Sequence, residues 1–303
     1  MMIQITLRQL RYFDALARHS HFGRASAACS ISQPALSMQI KELEDALGTV
    51  LIERGARHIR LTKVGEETAR RGRDILRAVD ELGDFARASH DRLAGRLRLG
   101  MIPTIAPYLL PAIMGNLMRT HPELDVHVRE ALTSKLIVEL ADGRLDAAIV
   151  ALPVSEPSLT EVALFSENFL LVRPGEDEGP VPAGETLREM RLLLLEEGHC
   201  FRDQALSFCN MASPLPREVL DASSLSTLVQ MVSAGMGVTL IPEMAVDVET
   251  RRAAVSLARF ADLQPSRTIG MIWRRTSPLA GQLIELSEVV RRSAEEQRQE
   301  PAA

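Results

Sequence analysis

The chain has 303 residues, of which 46% are hydrophobic and 25% charged, and its net charge is −5. This length suits two or three domains, and the composition is that of an ordinary globular protein, which excludes extensive disorder. The longest apolar run has about eight residues, too few to span a membrane, and the first residues lack the pattern of a secretory signal. We therefore expect a cytoplasmic protein that does not bind membranes.

The charge is unevenly distributed along the chain. Residues 1–65 carry 9 Lys and Arg against 5 Asp and Glu, a net charge of +4, and the remaining residues carry −9. A basic segment in an acidic chain indicates a separate nucleic-acid-binding part. Only three cysteines occur, which excludes a disulfide framework. Because no cluster of His, Cys, Asp and Glu has the spacing of a metal site, we expect neither a metal nor another cofactor.

The N-terminal residues predict three helices. Apolar residues recur at helical spacing over residues 7–18 and about 23–29. Ser32 and Pro34 supply an N-cap hydroxyl and a first-turn proline for a third helix, which ends at Gly48. Two helices joined by a tight turn are typical of a helix-turn-helix. Periodicity alone also fits a three-helix packing module with a solvated charged face.

The third helix has an apolar face and a polar face. Leu36, Ile40, Leu43 and Leu47 share the apolar side and are expected in the core. The opposite face is small, polar and basic, which suits base edges in a major groove. A short hairpin follows, with arginines that would contact phosphates. The candidate DNA-binding residues are Ser32, Gln33, Pro34, Ser37, Met38, Lys41, Arg54, Arg57 and Arg60.

These motifs resemble the winged helix-turn-helix of LysR-type transcriptional regulators. The resemblance is carried by residues 24–28, 32–37, 40–44 and 51–54, and it extends over nearly all of residues 5–65. It implies a transcription regulator rather than an enzyme, with a double-stranded DNA operator and RNA polymerase as partners.

A long helix follows the hairpin. Thr62 can cap a helix that runs to about Ser89, and small or apolar residues recur along it at spacings that form a seam: Ala69, Gly72, Leu76, Val79, Leu82 and Ala86. Such a seam suits pairing with a second copy, and packing against the chain's own domain is the alternative. The resemblance implies a dimerising linker helix and a homotetramer built as a dimer of dimers. We assign residues 1–62 to the DNA-binding domain and 63–91 to the linker helix.

From Leu97 onward, strand-like and helix-like segments alternate. The predicted strands are 97–102, 125–128, 147–152 and 267–273, and the predicted helices are 105–119, 134–143, 225–235 and 279–298. The alternation indicates an α/β fold with largely parallel sheets. The chain order indicates two subdomains with a ligand cleft between them, and the resemblance implies a fold like that of periplasmic binding proteins. The effector domain is 92–303, with subdomain I at about 92–165 plus 267–303 and subdomain II at about 166–266.

Two of the three cysteines, Cys200 and Cys209, are nine residues apart. This spacing matches neither zinc ribbons nor thioredoxin-like sites. A strand over 191–196 followed by Gly198 predicts a helix that begins near Cys200 and buries Phe201, Ala205 and Phe208. In a helix, residues nine apart are separated by about 13.5 Å along the axis, whereas a disulfide needs Cα atoms within about 4.4–6.8 Å. A bond between the two thiols would therefore require the helix to unwind, as a redox switch requires.

Cys200 is expected to react first, because a helix N-terminus and the cation Arg202 both stabilise a thiolate. Attack on a peroxide would give a sulfenic acid, which Cys209 would resolve. His199 and Asp203 would position the peroxide or pass a proton. Cys29 lies among apolar residues of the second helix and is expected to be inert. Composition alone allows the same inert role for the other two cysteines.

Residues 198–200, 202–205 and 209 resemble the redox loop of peroxide-sensing LysR-type regulators. The resemblance implies control of antioxidant genes, and resetting of a Cys200–Cys209 disulfide by a thiol reductant of the glutaredoxin or thioredoxin type. It also implies that hydrogen peroxide binds in a pocket lined by Thr104, Thr133, His199, Arg202 and Asp203. Val219 and Asp221 replace a histidine and an arginine found in some relatives, so no pocket role or salt bridge is carried over to them.

Two other hypotheses stay open at this point. The first is a LysR-type regulator whose inducer is a small metabolite bound in the cleft between the subdomains, with cysteines that are incidental to its function. The second is a thiol peroxidase. The helix-turn-helix disfavours the enzyme.

Overall fold

A computed structural model describes residues 4–54, 59–88, 94–175, 177, 179, 187, 190–208, 221–260 and 264–299. The chain divides into two compact units, residues 1–86 and 87–303. Among the helices in these ranges, none is both long enough and apolar enough to cross a membrane.

The first unit begins with three helices, α1 Leu7–His19, α2 Phe22–Ala28 and α3 Gln33–Leu47. Their ends follow the caps that the sequence supplies. The Ser32 hydroxyl accepts a hydrogen bond from the backbone N–H of Ala35 at 3.4 Å at the start of α3. Gly48 ends α3 in the left-handed conformation, with φ of +67°. The helices enclose a core that includes Phe13, Leu16, Leu36, Ile40 and Leu43.

A hairpin and a long helix complete the first unit. Strands β1 Ile52–Arg54 and β2 Ile59–Leu61 pair antiparallel, and α4 Lys63–Ala88 follows them. The Thr62 hydroxyl accepts a hydrogen bond from the Gly65 N–H at 2.9 Å and so caps α4. At Gly65, a Cβ would lie 2.0 Å from the carbonyl oxygen of Leu51, so only glycine fits this close approach.

The predicted seam on α4 has two parts with different surroundings. Ala69 is buried in the core of the first unit, and a Cβ at Gly72 would lie 3.5 Å from Leu10 of α1. Further along α4, Ile75, Leu82 and Phe85 are 48%, 68% and 64% exposed. The beginning of the seam therefore packs against the chain's own domain. Of its later residues, Leu76 and Val79 are half-buried and Leu82 is exposed. Leu82 forms an exposed apolar stripe with Ile75 and Phe85, which were not predicted to belong to the seam.

The second unit is a mixed α/β structure. Its strands are β3 Gly95–Met101, β4 Leu124–Glu130, β5 Ala147–Leu152, β6 Leu159–Pro174, β7 Leu194–Leu195, β8 Asp221–Ala222, β9 Thr239–Pro242, β10 Val255–Ala258 and β11 Ser266–Arg274. Its helices are α5 Ala106–Thr120, α6 Thr133–Ala141, α7 Cys200–Phe208, α8 Leu225–Ser233, α9 Val246–Glu249 and α10 Ala280–Gln299, and a 3₁₀ turn at Glu243–Ala245 precedes α9. The main sheet has the order β10-β6-β11-β5-β3-β4, and β9 also pairs with β6.

The expectation of largely parallel pairing is wrong for this sheet. β3 pairs parallel with β4 and β5, but β11 runs antiparallel to β5 and β6, and β6 runs antiparallel to β9 and β10. The sheet is mixed because β6 and β11 are neighbouring strands that run in opposite directions. Antiparallel neighbours, unlike parallel ones, need no crossover helix between them. β6 was not predicted, and the proposed subdomain boundary at 165/166 falls inside it.

Two hydrophobic cores lie along the second unit. The first is formed by β3, β5 and β11 with α5, α6 and α10, and it includes Trp273. The second is formed by the end of β6, β9, α7 and α8. β6 contributes Leu164 to the first core and Phe169 to the second. The fold class expected from the sequence is confirmed: a winged helix-turn-helix, a long helix and a two-part α/β domain.

Candidate redox site and nucleic-acid interface

A tight turn leads into α7. Gly198 has φ of +95°, a conformation that favours glycine, and a Cβ there would lie 3.1 Å from Leu132 Cδ1. Leu132 is the N-cap residue of α6, and Thr133 is the first residue of that helix. The turn before α7 therefore lies against the start of α6, which brings two sequence-distant segments of the predicted pocket together.

Cys200 is the first residue of α7. Its thiol is free and half-buried, and it packs against the first core. The next residue, Phe201, belongs to the second core, and its ring centroid lies 4.9 Å from that of Phe169 in an edge-to-face arrangement. Cys200 thus lies where the two cores meet, at the helix end that favours negative charge.

The two predicted pocket threonines have buried hydroxyls. Thr104 Oγ1 accepts a hydrogen bond from Arg267 Nη1 at 2.8 Å, and the Thr104 carbonyl accepts one from Nη2 at 2.9 Å. Thr133 Oγ1 is buried and has no hydrogen-bond partner among the residues that the structure describes. The Thr104 oxygen acts as an acceptor here, and the Thr133 hydroxyl has no partner among the described residues. Each of the two threonines can therefore donate its hydroxyl hydrogen to a small polar molecule.

Arg267 is a buried cation in this region that was not predicted from the sequence. It forms an ion pair with Glu167 at 2.7 Å, and the two side chains are 0% and 1% exposed. Its guanidinium carbon lies 5.6 Å from the centroid of the Phe201 ring, next to Cys200 in the chain. Both strands carry other polar and charged residues, so no local pattern in the sequence identifies this pair, although buried charges are almost always paired.

The remaining predicted pocket residues differ in their surroundings. His199 is buried, which lowers the pKa of its imidazole, while the Glu196 carboxylate acts in the opposite sense. Arg202 is buried, and its Nη1 donates to the Leu195 carbonyl at 2.6 Å and to Asp221 Oδ1 at 2.7 Å. Asp203 is exposed. Arg202 is thus held by β7 and β8.

Some predicted site residues lie outside the described residues: Cys209, Arg57 and Val219, together with the side chain of Arg54. Cys29 is described and is half-buried at the end of α2, and burial raises the pKa of its thiol. A protonated thiol is a weak nucleophile.

In the described ranges, no three His, Cys, Asp or Glu side chains are grouped so that they could hold a metal ion.

The predicted DNA-reading face of α3 lies on the accessible side of the helix. Ser32, Gln33, Pro34, Met38 and Lys41 are exposed and Ser37 is half-buried, whereas Leu36, Ile40 and Leu43 are fully buried. Arg60 on β2 is exposed as well.

Two sets of hydrogen bonds that were not predicted hold the segments next to this face in place. His21 Nδ1 accepts from the backbone N–H groups of Gly23 and Arg24 and so caps α2. Glu44 Oε1 accepts from the N–H groups of Leu51 and Ile52, at 2.7 and 3.2 Å, and so joins α3 to the hairpin.

Two protein families match this chain, and several relatives resemble it over nearly its whole length. Residues 7–66 match the bacterial regulatory helix-turn-helix proteins of the lysR family, and residues 90–295 match the LysR substrate binding domain. A probable hydrogen peroxide-inducible genes activator of Streptomyces viridosporus is 44% identical over 95% of this chain and 94% of its own length. The DNA-binding transcriptional dual regulator OxyR of Escherichia coli is 40% identical over 95% of both chains.

Solved structures of similar proteins cover nearly the whole chain. A full-length OxyR variant from Pseudomonas aeruginosa has a TM-score of 0.73 and 36% identity, and the match covers 95% of this chain and 98% of that one. A hydrogen peroxide-bound OxyR variant from Corynebacterium glutamicum has a TM-score of 0.67 and 34% identity, covering 97% of this chain and 94% of that one.

Proposed function

The chain belongs to the LysR family of bacterial helix-turn-helix regulators, and from that premise we propose that it is a transcription regulator that senses hydrogen peroxide through Cys200. The observation that carries this proposal is the position of Cys200: a free thiol on the first residue of α7, where two cores meet. The turn before it lies against α6, whose first residue, Thr133, has a buried hydroxyl without a partner among the described residues. Relatives named for peroxide-inducible genes support the same function.

The first chemical step is attack of the Cys200 thiolate on one oxygen of hydrogen peroxide. The O–O bond breaks, Cys200 becomes a sulfenic acid, and the departing hydroxide takes up a proton and leaves as water. Cys200 sulfur loses two electrons and the peroxide gains them. The hydroxyls of Thr104 and Thr133 would donate hydrogen bonds to the peroxide oxygens, which stabilises the charge that develops as the O–O bond breaks.

The second step forms a Cys200–Cys209 disulfide. The Cys209 thiol attacks the sulfenic sulfur, and the hydroxyl leaves as water with the thiol proton. α7 rises about 1.5 Å per residue, so the Cα atoms of Cys200 and Phe208 lie about 12 Å apart along its axis. The next Cα of the chain lies about 3.8 Å from that of Phe208, which leaves at least about 8 Å to Cys200, more than a disulfide allows. The bond therefore requires α7 to unwind. A dithiol reductant resets it by donating two electrons and two protons to the Cys200–Cys209 bond, which returns both thiols while the reductant itself becomes a disulfide.

DNA binding is assigned to the first unit. The exposed face of α3 would enter the major groove with Gln33, Pro34, Ser37, Met38 and Lys41, while arginines of the hairpin would contact phosphates. The exposed stripe of Ile75, Leu82 and Phe85 on α4 would pair with a second copy, and pairs of dimers would form the tetramer. Unwinding of α7 would change the shape of the effector domain and so the DNA contacts available to RNA polymerase.

The thiol chemistry can be tested by titrating the reduced chain with hydrogen peroxide and counting free thiols. We expect the chain to lose two of its three thiols and Cys29→Ser, the matched control, to lose both of its two. Cys200→Ser should keep both of its remaining thiols at the same dose, because the thiol that reacts first is absent. Loss of thiols from Cys200→Ser at the rate of the unsubstituted chain would overturn the proposal.

A further inference from the structure

A cavity of about 530 Å³ lies in the second unit, apart from the residues of the redox site. It is bordered by the middle of β6, by the 3₁₀ turn and α9, and by the end of α10. Thr104, Thr133, His199 and Cys200 do not line it. Its volume falls in the range of small-molecule binding sites, about 300–1,000 Å³.

The walls of this cavity are held in place by contacts within the chain. The Tyr108 hydroxyl donates to Glu249 Oε1 at 2.7 Å and ties α5 to α9. Arg298 on α10 donates to the Ser166 carbonyl at 2.7 Å, and its guanidinium carbon lies 4.8 Å from the centroid of the Phe165 ring. The site is therefore preformed, which lowers the entropy lost on binding.

The charges of the lining point to the class of molecule that would fit. Glu167 and Glu243 each face an arginine, Arg267 and Arg259, so these two carboxylates are neutralised. Asp247 and Arg298 form no ion pair within the described part of the chain, and they carry one charge of each sign.

Asn168 adds an amide that makes no hydrogen bond to any described residue, and so offers both a donor and an acceptor. A polyamine would be repelled by Arg298, and a dicarboxylate would be repelled by Asp247.

We propose that this cavity binds a small zwitterion, an α-amino acid or a close derivative, with its ammonium group toward Asp247 and its carboxylate toward Arg298. Arginine is well suited to the carboxylate because its planar fork can bind both oxygens. The bound molecule would also adjoin Glu167, which accepts from the Met244 N–H at 3.2 Å and from Arg267 Nε at 2.8 Å. Since Arg267 donates to Thr104, the cavity is connected to the redox site by consecutive hydrogen bonds.

The test measures binding of each common L-amino acid to the reduced full-length chain at millimolar concentration, by calorimetry and by thermal shift. We expect at least one to bind, and both Asp247→Asn and Arg298→Gln to weaken its affinity by about tenfold or more, the effect of losing a charged hydrogen bond. Arg292→Gln, on the same helix and exposed, is the matched control and should bind normally. The corresponding amine and the N-acetyl derivative, each lacking one charge, should bind at least about tenfold more weakly.

Three results would overturn the proposal: no amino acid binds, binding survives both substitutions, or Arg292→Gln weakens it equally. Peroxide is absent from this experiment, and Cys200→Ser should bind the same amino acid as tightly as the unsubstituted chain. A failure of this site is therefore distinguishable from a failure of the proposed peroxide chemistry.

Discussion

Thr133 begins α6 with a buried hydroxyl that has no partner among the described residues. Leaving such a group unpaired costs about 1–3 kcal/mol of folding stability, so its presence needs a reason outside packing. Thr104 differs, because Arg267 fixes the position of its oxygen. Hydrogen peroxide has two acceptor oxygens, and one of them would satisfy the Thr133 hydroxyl during the reaction.

Replacing Thr133 by valine keeps the shape of the side chain and removes the hydroxyl. We expect the rate constant for oxidation of Cys200 by peroxide to fall by about 10- to 100-fold, because a donor to the developing charge is lost. The thermal stability of the reduced chain should stay equal or rise, since an unpaired buried hydroxyl has gone. Stopped-flow oxidation and thermal unfolding measure the two effects.

Thr120→Val is the control for this substitution, because its hydroxyl already donates to the Asn116 carbonyl at 2.8 Å on α5. It should leave the oxidation rate unchanged. An unchanged rate in Thr133→Val would show that this hydroxyl plays no part in the reaction.

The sequence predicts residues whose role is local and misses those whose role depends on distant partners. Ser32 and Gly48 act within one helix turn of their own positions, so their capping roles could be recognised. Arg267 and Glu167 lie a hundred positions apart and meet only because β11 pairs with β6. Without the strand pairing, neither carries a local signal for its partner.

At the scale of the element, α7 is held in its helical form by a contact with a neighbouring strand pair. Arg202, whose side chain is 7% exposed, donates to Asp221 on β8 at 2.7 Å and to Leu195 on β7 at 2.6 Å. Breaking a pair with a buried member is costly because the remaining charge is left uncompensated. The contact therefore favours the helical, reduced form over any form in which α7 has unwound.

Asp221→Asn tests this role of the ion pair. The substitution should destabilise the reduced form by about 1–2 kcal/mol, which makes the reduction potential of the Cys200–Cys209 disulfide more negative by about 20–45 mV. Equilibration with glutathione or dithiothreitol buffers measures the potential. Glu288→Gln, which removes an exposed carboxylate that pairs with Arg291, should not move it, and an unchanged potential in Asp221→Asn would contradict this view of α7.

Helices were predicted more accurately than strands. α1, α3, α6 and α10 lie within a few residues of the predicted ranges, because each carries an apolar face in its own sequence. α1 and α3 also have a side chain that caps their N-terminus. β6 was not predicted because its sixteen residues pass from one core to the other. Its sequence therefore shows neither a regular alternation of apolar and polar residues nor a single apolar run. The direction of pairing depends on β11, nearly a hundred residues later.

At the scale of the whole molecule, the N-terminal part of the chain differs from the rest in charge and in task. Residues 1–65 carry +4, which favours contact with DNA phosphates, and the rest carries −9. An acidic effector domain does not repel hydrogen peroxide, which is uncharged. The whole chain has only three thiols, and burial raises the pKa of one of them, the Cys29 thiol. Few groups therefore compete with Cys200 for peroxide.

We propose that oxidation of Cys200 in one unit changes how the other unit contacts DNA. The most direct measurement is a footprint of the protein on the DNA upstream of its own gene, before and after a stoichiometric dose of peroxide. The footprint should change for the unsubstituted chain and for Cys29→Ser, and should stay in its reduced pattern for Cys200→Ser. A Cys200→Ser footprint that changes with peroxide as the unsubstituted one does would contradict the claim, as would an unchanged footprint from a chain that has lost two thiols.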